Sequence, residues 1–385
     1  MFAAVPAVPA LLALLASVAL VGACAAPDPR ADGDRSGAAP SVVLRGNWNV
    51  HAATSTTVIG FAPYAPPPPD RPIIGSAVDV DSGAQMDVIA PTDHANPYLV
   101  VQDAVGTDRS VIVSGVRCPT FEVDEATECT GPVSYAWTPD GDWTRLDLPP
   151  GYERLTDVLT DLFGSPYAVA QRSGDEPTEL LELDGTTWKG VGRFPSAHDL
   201  KACISSDVAY SLARNQPPGS PDQAADSVPA VSEVHALSLS DGAPTSVATP
   251  PLHGANGGVG VDLGCGPSGP VVATQTSDRG PIATHRLVAG AWEAVSPTLA
   301  GGAPAMLGEA LSTPVGVAFL YVLDGPGEPP TDKIVNLDLV REAGTATFTE
   351  NTVDRQVVLM GASDRVAYVP IDGSSRTPLS LRSLR

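Results

Sequence analysis

Positive charge is scarce in this chain, whose 385 residues include 22 lysines and arginines against 44 aspartates and glutamates. The formal net charge of −22 argues against a nucleic-acid-binding protein, because the phosphates of nucleic acids need Lys and Arg as partners. It argues equally against a peripheral site that reads anionic lipid headgroups. We therefore expect no nucleic-acid partner.

Motifs of well-known enzyme classes are also missing. The chain has no GxSxG nucleophile motif, no Walker A loop and no Rossmann fingerprint. Aromatic residues make up 5% of the chain and offer few stacking platforms for sugars. We identify no catalytic residue and predict no cofactor. The missing motifs favour a protein that is not an enzyme, without deciding the matter.

Metal-binding spacing is absent as well. The six histidines are scattered, with no HxH or HExxH pattern, and no two cysteines have CxxC spacing. His94, His198 and His253 lie near the starts of the repeats described below, where three histidines can converge on a metal. Solvated or hydrogen-bonded loop histidines are far commoner, so no metal site is predicted.

The N-terminal region carries an apolar run that ends on a cysteine. Residues 11–24 read LLALLASVALVGAC, and a bacterial lipobox likewise has small residues directly before its cysteine and an apolar residue three before it. We predict that residues 1–23 form a lipoprotein signal peptide and that Cys24 is lipidated after cleavage. The lipid then anchors the protein to the cell membrane at its extracytoplasmic face.

This signal departs from the usual pattern at its start. Residues 1–23 contain no Lys or Arg, whereas signal peptides have a positive first region. Plain secretion and an uncleaved anchor are the alternatives, because residues 1–26 are uncharged and nearly long enough to span a bilayer. All three place the body of the protein outside the cytoplasm. Residues 24–40 are polar and Pro-rich, and we expect them to form a flexible tether.

The other four cysteines are candidates for disulfide bonds. Their even number and the oxidising compartment predict two bridges, and three connectivities are possible. We favour Cys118–Cys129, which would staple one loop, and Cys203–Cys265.

A unit of four short strands repeats from about residue 41 onwards. In residues 151–195, the segments LTDVLTDLF, PYAVAQ, ELLELDG and TTWKGVGRF predict four strands separated by a turn, a loop and a tight turn. Seven comparable copies of about 45–57 residues follow one another. Tight hairpin turns need a positive φ, and glycines mark the last turn of six copies: Gly83, Gly141, Gly185, Gly242, Gly290 and Gly344.

The repeat predicts an all-β fold, a β-propeller of seven four-stranded blades over residues 41–385. One such sheet cannot bury both of its faces, but a ring of sheets can. The last copy lacks a fourth strand, and we expect residues 41–46 to supply it and close the ring. A pair of β-sandwiches is the alternative for regularly spaced short strands.

One segment has a competing interpretation. Five apolar residues have the spacing of one helix face, namely Leu155, Val158, Leu159, Leu162 and Phe163. Their place in the repeat favours a strand instead.

Two hairpins resemble ligand-binding motifs but depart from them. Residues 185–188 (GTTW) match the last four positions of a sialidase Asp-box, whereas its aspartate position holds Leu183. The segment from Asp79 to Asp87 resembles a calcium loop without its ligand spacing and is predicted to be a hairpin turn. The hairpin tryptophans are predicted to pack between blades as structural residues: Trp143, Trp188 and Trp292.

The long insertions all follow the second strand of a copy, so we expect them on one face of the propeller, where variable loops usually carry function. They span residues 66–72, 117–131, 214–230 and 324–332. Three arginines lie in them (Arg71, Arg117 and Arg214), against ten carboxylates: Asp70, Glu122, Asp124, Glu125, Glu128, Asp222, Asp226, Asp324, Glu328 and Asp332. Such an acidic rim favours a cationic partner or Ca²⁺, while acidic loops also serve solubility alone.

The lipobox, the polar tether and the repeated strand–Asp-Gly–strand texture together resemble the lipid-anchored, propeller-like lipoproteins of actinobacteria. The resemblance covers the whole chain, but as a repeated pattern of strands and turns without a family-specific motif. It implies a protein of the cell envelope. We expect a binding or scaffold lipoprotein that presents its rim to an envelope protein or a glycan. This hypothesis expects no cluster of perturbed titratable groups in the channel.

The alternative function is a sialidase-like glycan hydrolase or lyase. It expects carboxylates together with Arg or His to converge at the channel mouth. The geometry of the channel therefore distinguishes the two hypotheses.

Overall fold

The computed structural model describes residues 42–44, 50–62, 73–120, 129–172, 176–195, 199–215, 231–245, 247, 250, 260–275, 280–295, 298–303, 305–324, 333–341, 344–349, 355–370 and 379–385. They are almost entirely β-strands and turns, with one short 3-10 helix at Leu299–Gly302. Within this part of the chain, no helix has the length and apolar character needed to cross a membrane.

The strands form seven separate antiparallel sheets in chain order. From the centre outwards, the first three sheets contain β1 (Val50–Ala53), β2 (Thr57–Phe61), β3 (Ile73–Asp79) and β4 (Gln85–Ile89); β5 (Tyr98–Gly106), β6 (Val111–Cys118), β7 (Thr130–Trp137) and β8 (Trp143–Leu146); and β9 (Arg154–Thr160), β10 (Pro166–Gln171), β11 (Glu179–Asp184) and β12 (Thr187–Arg193).

The other four sheets continue the same order. They contain β13 (Asp199–Ser205), β14 (Val208–Asn215), β15 (Val231–Ser238) and β16 (Pro244–Thr245); β17 (Gly260–Gly266), β18 (Gly269–Gln275), β19 (Ile282–Val288) and β20 (Ala291–Ala294); β21 (Met306–Thr313), β22 (Gly316–Asp324), β23 (Lys333–Arg341) and β24 (Gly344–Thr349); and β25 (Arg355–Leu359), β26 (Arg365–Pro370) and β27 (Ser380–Ser383).

The hydrophobic core is divided among the contacts between neighbouring sheets. Seven clusters of buried apolar side chains are present, and each joins one sheet to the next, including the seventh to the first. Each blade therefore buries both faces against its neighbours, as the repeat required. The protein is a seven-bladed β-propeller, and the prediction of its fold is confirmed.

The seventh blade has three described strands, and the segment before β1 lies beside it. The backbone N–H of Leu379 donates to the carbonyl of Val42 at 2.7 Å. Leu44 is buried in the cluster between blades 7 and 1, with Val358 and Met360. This is the place expected for a closing strand, although residues 42–44 are not themselves in a strand conformation.

The segment with helical spacing is strand β9, as predicted, and a β-bulge explains its spacing. Asp157 pairs with Val169 and Leu155 with Ala170, so Thr156 is an extra residue in β9. The bulge turns Leu155 and Val158 to the same side, towards blade 2, although they are three positions apart in the strand. An apolar pattern that looks helical here results from one inserted residue.

The predicted hairpin glycines and tryptophans have the expected roles. Five of the six glycines have positive φ, from 64° at Gly185 to 89° at Gly141, and Gly344 begins β24. Trp188 is fully buried between blades 2 and 3. Trp143 and Trp292 pack against the clusters between blades 1 and 2 and between blades 4 and 5.

Arg117 was grouped with the rim loops, but it lies inside β6 and is fully buried. Its guanidinium donates to the carbonyls of Pro91 at 2.8 Å and Asn96 at 3.2 Å, and to the Tyr135 hydroxyl at 3.1 Å. These bonds tie the connection between β4 and β5 to blade 2. Its place on the rim was wrong because the strand extends to Cys118.

Both predicted disulfides are present. Cys118–Cys129 links the end of β6 to the residue before β7, and Cys203–Cys265 joins the innermost strands of blades 4 and 5. The second bridge is thus a covalent link between two neighbouring blades beside the central channel.

Replacing Cys203 and Cys265 together with alanine should lower the free energy of unfolding by about 4 kcal/mol, because that bridge closes a separation of 62 residues. The matched Cys118→Ala/Cys129→Ala variant, with a separation of 11, should lose about 3 kcal/mol. Urea denaturation followed by tryptophan fluorescence measures both losses. A smaller loss for the bridge between blades would contradict this expectation.

Candidate functional site

The innermost strands surround a central channel that contains a cavity of about 330 Å³. Six of the seven blades supply lining residues, from β1, β5, β9, β13, β21 and β25. Most of these residues are small or apolar. The polar ones are His51, Gln102, Asp103, Asp157, Thr160, Lys201, Glu309 and Ser312.

The turn between β25 and β26 obstructs one end of this channel. Gly361 donates its N–H to the carbonyl of Ala53 at 3.0 Å, and Ala362 donates to Asp108 Oδ1 at 3.1 Å. A Cβ placed on Gly164 of blade 3 would lie 2.9 Å from the Cβ of Ala362. The turn therefore touches blades 1, 2 and 3 at the end with short turns, and we expect a ligand to enter from the opposite face.

Charged residues occupy one repeated position on five consecutive inner strands. They are Asp103 in β5, Asp157 in β9, Lys201 in β13, Asp262 in β17 and Glu309 in β21. The cavity is thus lined by three carboxylates and one lysine, and Asp262 lies behind Lys201.

Three of these side chains form hydrogen bonds that we call the aspartate latches. In each latch, a carboxylate accepts a backbone N–H from the innermost strand of the next blade. The three bonds join Asp103 Oδ2 to Val158 N (2.8 Å), Asp157 Oδ2 to Ala202 N (3.0 Å) and Asp262 Oδ2 to Ala310 N (2.7 Å). The donor directly follows the charged residue of its own strand, so the latches repeat with the blades.

β-Bulges place most of these charged residues. The register of each inner strand shifts directly before Asp103, Asp157 and Lys201, and over Gly308 and Glu309 in β21. No shift is recorded in β17, which carries Asp262. Bulges re-aim side chains and are common beside functional sites.

Lys201 connects blades 4, 5 and 6. Its ammonium lies 3.1 Å from Asp262 Oδ1, donates to the carbonyl of Ala310 at 2.9 Å and lies 3.8 Å from Glu309 Oε1. Burial opposes its charge, but the charges of Asp262, Glu309 and Asp157 outweigh burial and raise the pKa of Lys201. The lysine is therefore a fixed cation, not a neutral nucleophile.

Two channel aspartates, Asp103 and Asp157, are easier to protonate than ordinary aspartates. Burial, followed by the negative charge of Asp103, raises the pKa of Asp157 to about 7, against the opposing effects of the Ala202 N–H and Lys201. Burial also raises the pKa of Asp103, although two backbone N–H groups oppose it. When ionised, the three lining carboxylates carry more negative charge than Lys201 balances.

Glu309 differs from the three aspartates. Enclosure in the channel raises its pKa, Lys201 opposes the rise, and Asp262 and Asp103 add to it. Yet water reaches 51% of its side-chain surface, against 12% for Asp262. The carboxylate lies on the wall but faces the water in the cavity.

The sites considered from sequence are not brought together. Asp79 accepts hydrogen bonds from the Ser82 N–H and hydroxyl, which makes this segment a hairpin turn as predicted. His94 is exposed, and His198 and His253 lie outside the described residues. So do nine of the ten rim carboxylates and the side chain of Asp324. The long connections themselves do follow the second strands of their blades.

Sequence reasoning missed the charged channel residues, and its expectation that no perturbed cluster would be found there is wrong. A signal was present: each of the five inner strands carries a charged residue inside an apolar stretch, as in VVQDAV, LTDVLT and LGEALS. Only alignment of the repeats reveals that these positions correspond.

Nowhere among the described residues do three or more histidine, cysteine, aspartate or glutamate side chains form an arrangement that could hold a metal ion. The Lys201 ammonium already lies between Asp262 and Glu309.

Comparisons with known proteins show the fold alone. No protein-family model matches the chain, and no curated protein matches it. Solved propellers are similar in structure, among them a Dos1 propeller with a TM-score of 0.50 and 9% identity, which covers 89% of this chain and 93% of that one.

Two further solved structures are similar at the same level. A family PL25 ulvan lyase has a TM-score of 0.51 and 8% identity, covering 90% of this chain and 96% of its own. The hydrazine synthase of Kuenenia stuttgartiensis has a TM-score of 0.54 and 10% identity, covering 91% and 99%. Proteins with such different names share a propeller, so the fold identifies no activity.

Asp157→Asn should raise the thermal unfolding midpoint at about pH 8, by about 2 °C or more. The pKa of an aspartate in the unfolded chain is near 3.9, whereas the pKa of Asp157 in the folded protein is about 7. Between about pH 4 and pH 7, the folded protein therefore binds a proton at Asp157 that the unfolded chain has lost. Stability is then greatest at the acid end of that window and falls as pH rises through about 7. Asparagine keeps an acceptor for the Ala202 N–H and removes the charge.

Asp79→Asn is the matched control, because hydrogen bonds from Ser82 hold the pKa of Asp79 below its usual value. This variant should lose stability at the same pH. Thermal scans from about pH 4 to pH 8 test both variants. If Asp157→Asn were less stable than the unmodified protein at pH 8, the latch would matter more than the charge, contrary to this account.

Proposed function

We propose that the protein is a lipid-anchored binding protein of the cell envelope whose central channel takes a small organic cation. The observation that carries the proposal is the excess of carboxylates over cations in an enclosed cavity. Asp103, Asp157 and Glu309 line it, whereas Lys201 is the only lysine or arginine among its described lining residues. Burial and then the charge of Asp103 raise the pKa of Asp157, and a bound cation would offset the second of these effects.

Anchoring is supported by the sequence. The lipobox at residues 21–24 and the polar tether of residues 24–40 would hold the propeller outside the cytoplasm. We also propose that the rim of the propeller contacts a protein or glycan partner, while the channel binds the small molecule.

A glycan hydrolase or lyase is the second candidate, and a cluster of perturbed carboxylates in the channel is what this candidate expects and the binding hypothesis did not. Glycoside hydrolysis uses two carboxylic acids, one of them with a raised pKa, and Asp157 has that property. Against it, all three aspartates accept backbone hydrogen bonds, which restrain them. Turnover of a glycan that Asp157→Asn abolishes would favour this candidate.

Putrescine should bind the full-length protein in detergent at about pH 8 and raise its unfolding midpoint, because its ammonium groups neutralise channel carboxylates. The matched control ligand is 1,4-butanediol, which has the same length and no charge. Calorimetric titration and thermal scans measure both. Equal behaviour of the two ligands would refute a cation site.

Cys24→Ala should abolish incorporation of a fatty-acid label and release the protein from the membrane fraction of expressing bacteria, because the thiol is the attachment point. Asp32→Ala, in the tether, should leave both unchanged. Fractionation with metabolic lipid labelling measures the outcome. A Cys24→Ala protein that still carries lipid would exclude the lipobox assignment.

A further inference from the structure

The four channel carboxylates differ in the hydrogen bonds that they accept. They are Asp103, Asp157, Asp262 and Glu309. One carboxylate oxygen of each aspartate, Asp103, Asp157 and Asp262, accepts a hydrogen bond from a backbone N–H of the next blade. Asp103 and Asp262 also accept the N–H of the residue that follows them, at 2.8 and 2.7 Å. Their positions are therefore fixed by the backbone of two blades.

Glu309 has no such bond to a neighbouring blade among the described residues. Its nearest described charge is the Lys201 ammonium, at 3.8 Å, which is longer than a hydrogen bond. The two-residue bulge of Gly308 and Glu309 carries it into the cavity, opposite a single residue of β22. Glu309 thus has free acceptor oxygens, a longer side chain and access to water.

We propose that Glu309 is the residue that contacts the ligand and selects it, while the three aspartates are positioning residues that hold the blades and set the local charge. This inference rests on the proposed function, and it narrows the ligand to a primary or secondary amine. Primary and secondary ammonium groups carry N–H donors that Glu309 can accept, and the nearby charges of Asp103 and Asp157 favour a cation there. The fixed charge of Lys201 disfavours a second cationic group close to Glu309.

Binding and stability of variants test the assignment. Glu309→Gln should weaken putrescine binding roughly tenfold to a hundredfold, the effect of losing one charged hydrogen bond, with an unfolding midpoint close to that of the unmodified protein. Glu293→Gln, on the exposed outer strand β20, is the matched control and should change neither. Unchanged affinity in folded Glu309→Gln would overturn the inference.

A second measurement does not need a known ligand. Water-soluble carbodiimide with ethylenediamine couples an amine to accessible carboxyl groups, and peptide mass spectrometry finds the sites. Among the four channel carboxylates, Glu309 should react first. Faster labelling of Asp103, Asp157 or Asp262 would overturn the assignment. If putrescine fails to bind the unmodified protein, the proposed cation site and the ligand-contacting role of Glu309 both fail, and the labelling order then reports only which channel carboxylate is accessible.

Discussion

The geometry of the channel depends on the hydrogen bond from a backbone N–H of one inner strand to an aspartate of the blade before it. Three such latches join blades 2 to 3, 3 to 4 and 5 to 6. Between blades 4 and 5 the Lys201–Asp262 ion pair and the Cys203–Cys265 bridge take their place. Blades 7, 1 and 2 are joined instead by the turn that contains Gly361. Apolar clusters hold the blades together, and these polar contacts fix where the inner strands lie.

The same latches bring carboxylates close to one another. An isolated charge is costly to enclose, and a second negative charge nearby raises the cost. The propeller nevertheless keeps Asp103, Asp157 and Glu309 around one cavity. Proteins keep arrangements that reduce stability where these serve function. This is the physical reason for placing the candidate site at the carboxylates of the channel.

Much of the fold was predictable because blades repeat. The order of strands, the turn glycines and both disulfides follow from periodic sequence and cysteine count. Arg117 was misplaced because strand ends are not marked in an apolar segment that runs to Cys118. The charged channel could not be found from local motifs, since its residues lie 44 or more positions apart and meet only when the ring closes. The role of Glu309 was harder still to predict, because its position in the cavity depends on a β-bulge for which the sequence gives no signal.

Amide hydrogen exchange tests the latches most directly. The N–H groups of Val158, Ala202 and Ala310 should be among the slowest to exchange, although each lies on a strand that borders the channel cavity. Protection at all three would show that the aspartates hold neighbouring blades together. Exchange as fast as that of the exposed hairpin turns would contradict the account, because the carboxylates would then lack the anchors that place them.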